Sequence, residues 1–88
     1  MSEQSPTAEA MCRYLVSNIV DDTEAVRIDA VAADSGRAGG AVRFDVQVAQ
    51  GEMGRVIGKR GRVAQSIRTL VRAAGSRDDV DVEVEFVD

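Results

Sequence analysis

The sequence predicts an α+β domain in which a mixed three-stranded sheet carries three helices on one face. Apolar residues recur every three to four positions in two segments, one near the N-terminus and one after residue 61, and alternate with polar residues in three others. Taken in order, with one short helical piece before residue 58, the segments read α-β-β-α-α-β. A chain of 88 residues has room for one such unit. At this size only roughly 60–65% of the unfolded surface becomes buried, so the core must be economical.

Residues 1–6 are expected to be a flexible tail and 7–88 a single domain. Ser5-Pro6 suits a helix start, with Ser as N-cap and Pro at the first helical position. Ala8, Met11, Cys12, Leu15 and Ile19 then form one stripe, which predicts a helix over Thr7–Val20 that Asp21-Asp22 ends. From Val26 the period becomes two: Val26, Ile28 and Ala30 face one way, Arg27 and Asp29 the other. Asp34 to Gly40 is turn-rich and predicts a mobile hairpin tip. Val42, Phe44, Val46 and Val48 alternate with Arg43, Asp45 and Gln47 as the second strand of an antiparallel hairpin. Glu52–Ile57 is a short helical segment, interrupted by Gly58-Lys59-Arg60-Gly61. Arg62–Ala74 is a fuller helix, since Val63, Ile67, Leu70, Val71 and Ala74 share one arc, and Gly75 is expected to stop it. Val80, Val82, Val84 and Phe86 alternate with Asp81, Glu83 and Glu85 in the last strand. A helical crossover returns the chain parallel to the strand it left, so this strand should lie parallel to the second.

Composition removes whole classes of chemistry. Histidine is absent, which excludes Ser-His and Cys-His nucleophile pairs and most zinc sites. The expectation is a non-enzymatic chain with no cofactor and no metal. Cys12 is the single cysteine and cannot form an internal disulfide; it lies on the apolar stripe as core. No apolar run approaches the ~18 residues of a membrane span, and a reducing, cytoplasmic location is expected without membrane contact. The net charge of −4 hides a strong asymmetry. Met53 to Arg77 contains seven cations (Arg55, Lys59, Arg60, Arg62, Arg68, Arg72, Arg77) and no acid, whereas the other residues together carry −11. Such a block is the electrostatic footprint of an anion-binding surface.

The glycines of that block do not form a nucleotide loop. Met53 stands where a Walker A loop needs glycine, and Arg60 where it needs Ser or Thr. The spacing Gly51, Gly54, Gly58, Gly61 lacks the G-x-G of a dinucleotide fingerprint. What fits is a G-x-x-G turn between two helices. Its glycines permit a tight turn and close approach of a sugar–phosphate backbone, and it ends where a helix N-terminus favours an anion. Lys59 and Arg60 add full charges.

With Val56-Ile57-Gly58-Lys59-Arg60-Gly61 between two helices in an α-β-β-α-α-β order, the chain resembles a KH domain of the type II arrangement. The stretch Gly54 to Arg62, the following Ile67-Arg68-Thr69-Leu70 and the overall length resemble the small stand-alone KH-domain RNA-binding proteins of bacteria, the KhpA type, over roughly Thr7 to Asp88. Asp34–Gly40 matches that family's variable loop in place but not in detail. The resemblance implies a loop clamping the backbone of about four nucleotides of single-stranded RNA. Gly58 and Gly61 would shape this clamp and Lys59 and Arg60 would contact phosphate. Arg55, Arg62 and Arg68 would extend the positive field, and Ile57 and Val63 would line an aliphatic groove for bases. It further implies an RNA-chaperone-like or regulatory role, a homodimer or pairing with a second KH-containing protein, and a link to cell shape. Thr69 and Leu70, near the helix end, are the candidates for a contact between copies.

The residues independently favour this over other RNA readers. The aromatics are Tyr14, Phe44 and Phe86, with both phenylalanines at inward strand positions, so no stacking platform is expected. Asp29, Asp45, Asp81, Glu83 and Glu85 would populate the outer face of the sheet and repel phosphate, confining RNA to the helical side. Two other readings remain open: a helix-turn-helix DNA binder with Arg62–Ala74 as recognition helix, and a protein-interaction module docking an acidic partner.

Overall fold

The computed structural model describes residues 4–33 and 39–87. Helix α1 (Pro6–Ser17) leads through a 3₁₀ turn at Thr23–Ala25 into strands β1 (Arg27–Ala33) and β2 (Ala41–Gln47). Helix α2 (Met53–Ile57), a second 3₁₀ turn at Lys59–Gly61, helix α3 (Arg62–Ser76) and strand β3 (Asp81–Phe86) follow. The sheet order is β1-β2-β3, with β1 antiparallel and β3 parallel to β2, as the crossover argument requires. The expected flexibility of residues 1–3 and the tip of the Asp34–Gly40 loop at 34–38 lie outside the described residues.

Register divides the sheet into two chemically distinct faces. Ala30, Phe44 and Val84 lie in one row, and Ile28, Val46 and Phe86 in the next, facing the helices. Between them Asp29, Asp45 and Glu85 line up on the outer face, beside the row Val31, Arg43, Glu83. Like charges side by side in a ladder are unfavourable. Arg43 offsets them by donating to Asp45 at 2.8 Å, and this bond, together with the Asp45 charge, raises the guanidinium pKa further. On the inner side Ala8, Cys12 and Val16 of α1 join Val56 of α2, Ile67, Val71 and Ala74 of α3, and the strand residues Val42, Phe44, Val46, Val82 and Val84 in one buried cluster. Cys12 is fully enclosed, and burial pushes its thiol pKa up to about 12.

Three expectations are corrected. Gln4, Ser5 and Pro6 belong to the folded body instead of the tail: Gln4 Nε2 donates to the Ala41 carbonyl at 2.9 Å, and the fully buried Ser5 donates to Asp78 at 2.8 Å. Ser5 does cap α1, accepting from the Ala8 N–H, with Pro6 at the first helical position. The helix ends at Ser17, short of Val20, although Val20 stays buried. Ala30 faces inward by register, as its alternation predicts, and is exposed on the edge strand β1. Gly75 does not stop α3. It is buried inside the helix, where a Cβ would collide with Val82, so the glycine is there for close helix–strand packing. The chain turns instead at Asp79, left-handed with φ +54, while the Gly75 carbonyl accepts from Asp78 and Val80 N–H at 3.0 Å each.

Candidate nucleic-acid interface

Val56, fully buried, anchors α2 to the core, so that the chain leaving α2 emerges at the surface. Gly58 closes the helix with its N–H on the Gly54 carbonyl at 2.9 Å, at φ +74 and ψ 174. Its missing Cβ is filled by Val63: a methyl group there would overlap the Val63 side chain. The Gly61 N–H then donates to the Gly58 carbonyl at 3.2 Å, closing the turn. Arg60 (φ 58, ψ 25) and Gly61 (φ 72, ψ 13) are consecutive left-handed residues. For arginine this conformation costs roughly 1–2 kcal/mol, the kind of strain that clusters at functional turns.

The turn therefore projects Lys59 and Arg60, both exposed, from the start of α3. As N-cap of that helix Gly61 supplies no side-chain acceptor, and no acid occupies the first turn. The positive end of a 15-residue helix is thus left unneutralised beside three cations: Lys59, Arg60 and the exposed Arg62. Ile57 and Val63 are half-buried on either side of the turn and keep apolar surface available.

Arg55 sits differently. Its Nη1 lies 2.9 Å from Asp21 and 3.8 Å from Glu52. The Glu52 carboxylate also accepts the backbone N–H groups of Asp21 and Asp22, at 2.5 and 3.2 Å, latching the segment after α1 onto the start of α2.

A family model described as the KH domain of KhpA and KhpB matches residues 9–86. The chain belongs to the KhpA/KhpB KH-domain family. Among similar proteins, the RNA-binding protein KhpA of Chlamydia trachomatis serovar D is 36% identical over 75 residues, 85% of this chain and 90% of the relative. The RNA-binding protein KhpA of Listeria monocytogenes serovar 1/2a is 36% identical over 80 residues, 91% and 99% of the two chains. That of Borreliella burgdorferi is 27% identical over 78 residues, 89% of each.

Within this KH domain the remaining sequence-selected residues separate. Gly58, Lys59, Arg60, Gly61 and Arg62 come together with Ile57 and Val63 at the α2–α3 junction. Arg68 does not join them. Its Nε donates to the Val84 carbonyl of β3 at 3.2 Å, and its guanidinium lies 5.6 Å from the centre of the half-buried Phe86 ring, a cation–π contact. Arg72 lines a cleft between α3 and β3 with Asp81 and Glu83, and Arg77 is exposed at the helix end. Phe44 is fully buried as expected, while Tyr14 is 66% exposed on α1. The sequence reading missed Asp21 and Glu52. The three-residue spacing of Glu52 and Arg55 hinted at an ion pair, but nothing local ties either to a segment 30 residues earlier. Among the described residues no helix is long and apolar enough to cross a membrane, and no group of His, Cys, Asp or Glu has the makings of a metal site.

Proposed function

We propose that this KH domain binds single-stranded RNA by its sugar–phosphate backbone at the Gly58–Gly61 turn, as a cytoplasmic RNA chaperone or post-transcriptional regulator. The observation that carries the reading is the turn itself: two consecutive left-handed residues lift Lys59 and Arg60 from an uncapped helix N-terminus with no acid in its first turn. Backbone amides, helix dipole and two full charges thereby converge on one anion. The name shared by the relatives, RNA-binding protein, agrees with this. Ile57 and Val63 supply the apolar contact for bases, and Arg62 extends the field. Arg68, held by β3, contributes field only. No step of this reading is catalytic.

The same residues argue against a recognition helix for duplex DNA. Helix α2 has five residues, and Arg68 is drawn off the face that such a helix would present. Self-association, or pairing with a second KH-containing protein, is proposed through α3, where Leu70 is 48% exposed in a shallow depression with Arg62, Gln65, Ser66 and Thr69.

The test is replacement of Lys59 and Arg60 together by Asp. Exposed substitutions away from packing cost within about 0.5 kcal/mol, so thermal unfolding should hardly move while RNA binding is lost. Binding that persists, or that falls only because the protein unfolds, would remove support for the clamp.

A further inference from the structure

We propose that the Asp21 carboxylate is an internal competitor for RNA phosphate at Arg55, so that the segment joining α1 to β1 limits the affinity of the interface. This rests on the RNA-binding reading above and assigns a regulator to it. Arg55 stands on α2 four residues before Lys59, across the break at Gly58, in the block that otherwise presents only cations, yet two carboxylates share its Nη1: Asp21 at 2.9 Å and Glu52 at 3.8 Å. The two acids are not equivalent. Glu52 has a side chain only 12% exposed and holds the backbone N–H groups of Asp21 and Asp22, so it cannot leave without releasing the segment. The Asp21 side chain is 82% exposed and can swing into water. Glu52 thus pins the Asp21 backbone beside Arg55, which keeps the exchangeable carboxylate at high local concentration. A phosphate arriving at Arg55 must displace Asp21 or bind against its charge, and in both cases binding is weaker than at a free guanidinium. The neighbouring Asp22 is engaged elsewhere, its carboxylate capping the 3₁₀ turn through the Ala25 N–H at 3.3 Å. It therefore provides a control of equal charge one residue away.

The experiment titrates a fluorescently labelled, mixed-sequence single-stranded RNA oligonucleotide against the wild-type chain and the variants Asp21→Asn, Asp22→Asn, Arg55→Gln and Asp21→Asn with Arg55→Gln, over a range of salt concentrations. Exposed ion pairs of this kind correspond to an affinity gain of about two- to fivefold when the competitor is removed. Asp21→Asn should bind that much tighter, with a salt slope steeper by about 0.7, the value for one additional neutralised phosphate. Asp22→Asn should gain less, and the Asp21→Asn gain should vanish when Arg55→Gln is also present. Unchanged affinity for Asp21→Asn would overturn the proposal, as would equal gains from Asp21→Asn and Asp22→Asn that persist with Arg55→Gln. The Lys59→Asp, Arg60→Asp chain separates the two levels. If that chain loses RNA while Asp21→Asn is neutral, only the competitor falls. If it binds like wild type, the clamp falls and the competitor with it.

Discussion

Gly58 and Gly61 lie three residues apart with nearly equal positive φ, but their surroundings give each substitution its own signature. An alanine methyl at Gly58 would overlap Val63 and also sit in a backbone region that L residues avoid. At Gly61 nothing lies within 4 Å of the added methyl, so only the conformational cost applies. Gly61→Ala should therefore lower stability by roughly 1 kcal/mol, and Gly58→Ala by at least twice that. Chemical denaturation of both variants checks the order, and equal losses would contradict the role given to Val63. Cys12 gives a second residue-scale expectation. Its thiol titrates near 12 when folded and near 9.0 when free, so between those values the unfolded chain binds fewer protons than the native one. Stability from this group is complete below pH 9 and declines as pH rises toward 12, by up to about 1.4 kcal/mol per unit. At neutral pH the thiol should resist alkylation until the protein unfolds. Rapid modification of the native chain by iodoacetamide would contradict its enclosure.

Among the elements, α2 has the weakest local basis for its place. Five residues are too few for a self-sufficient helix, and its position depends on Val56 in the core and on the Glu52 latch. Charge-assisted bonds from a mostly covered carboxylate to two exposed backbone donors suggest a loss of about 1–2 kcal/mol for Glu52→Ala. Glu52→Gln should lose less, since its amide oxygen still accepts one bond. Faster hydrogen exchange at Asp21 and Asp22 in the Ala variant is the measurement, and unchanged exchange there would deny the latch. This latch also shows where the sequence stops being informative. The strands and α3 are legible because periods of 2 and 3.6 are local properties, and the parallel placement of β3 follows from connection geometry. Glu52 reads as a helix neighbour, but its true partners are backbone groups brought close only by the finished fold. Gly75 misleads for a related reason. Glycine after a helical stripe signals a stop, whereas here its role is set by Val82, seven residues on. Arg68 carries no mark distinguishing it from Arg62, because its contact with Val84 and Phe86 depends on how far α3 stands from β3.

For the whole molecule, the division of charge along the sequence becomes a division of faces. Asp29, Asp45, Glu83 and Glu85 occupy the outer side of the sheet, and the G-x-x-G turn belongs to the helical layer. The molecule measures 38 × 25 × 18 Å, so even across its shortest dimension opposite faces are about two Debye lengths apart at physiological salt, where that length is about 8 Å. The acidic face should therefore neither steer RNA away from the turn at working salt nor alter the stoichiometry of ion release. That stoichiometry follows from which cations are free to act. Lys59, Arg60 and Arg62 are exposed at the turn, while Arg55 is paired with Asp21 and Arg68 is held against β3. Three neutralised phosphates at about 0.7 counterions each give a slope of log affinity against log salt near −2 for single-stranded RNA. Lys59→Gln should reduce the slope by less than one and weaken different sequences alike, because phosphates carry no base identity. Ile57→Ser, checked for folding by circular dichroism, should leave the slope unchanged and lower affinity through the lost apolar contact. Filter-binding or anisotropy titrations across salt measure all three. A slope indistinguishable from zero for a folded wild-type chain that still binds RNA would mean that bases, and not backbone phosphates, hold the ligand.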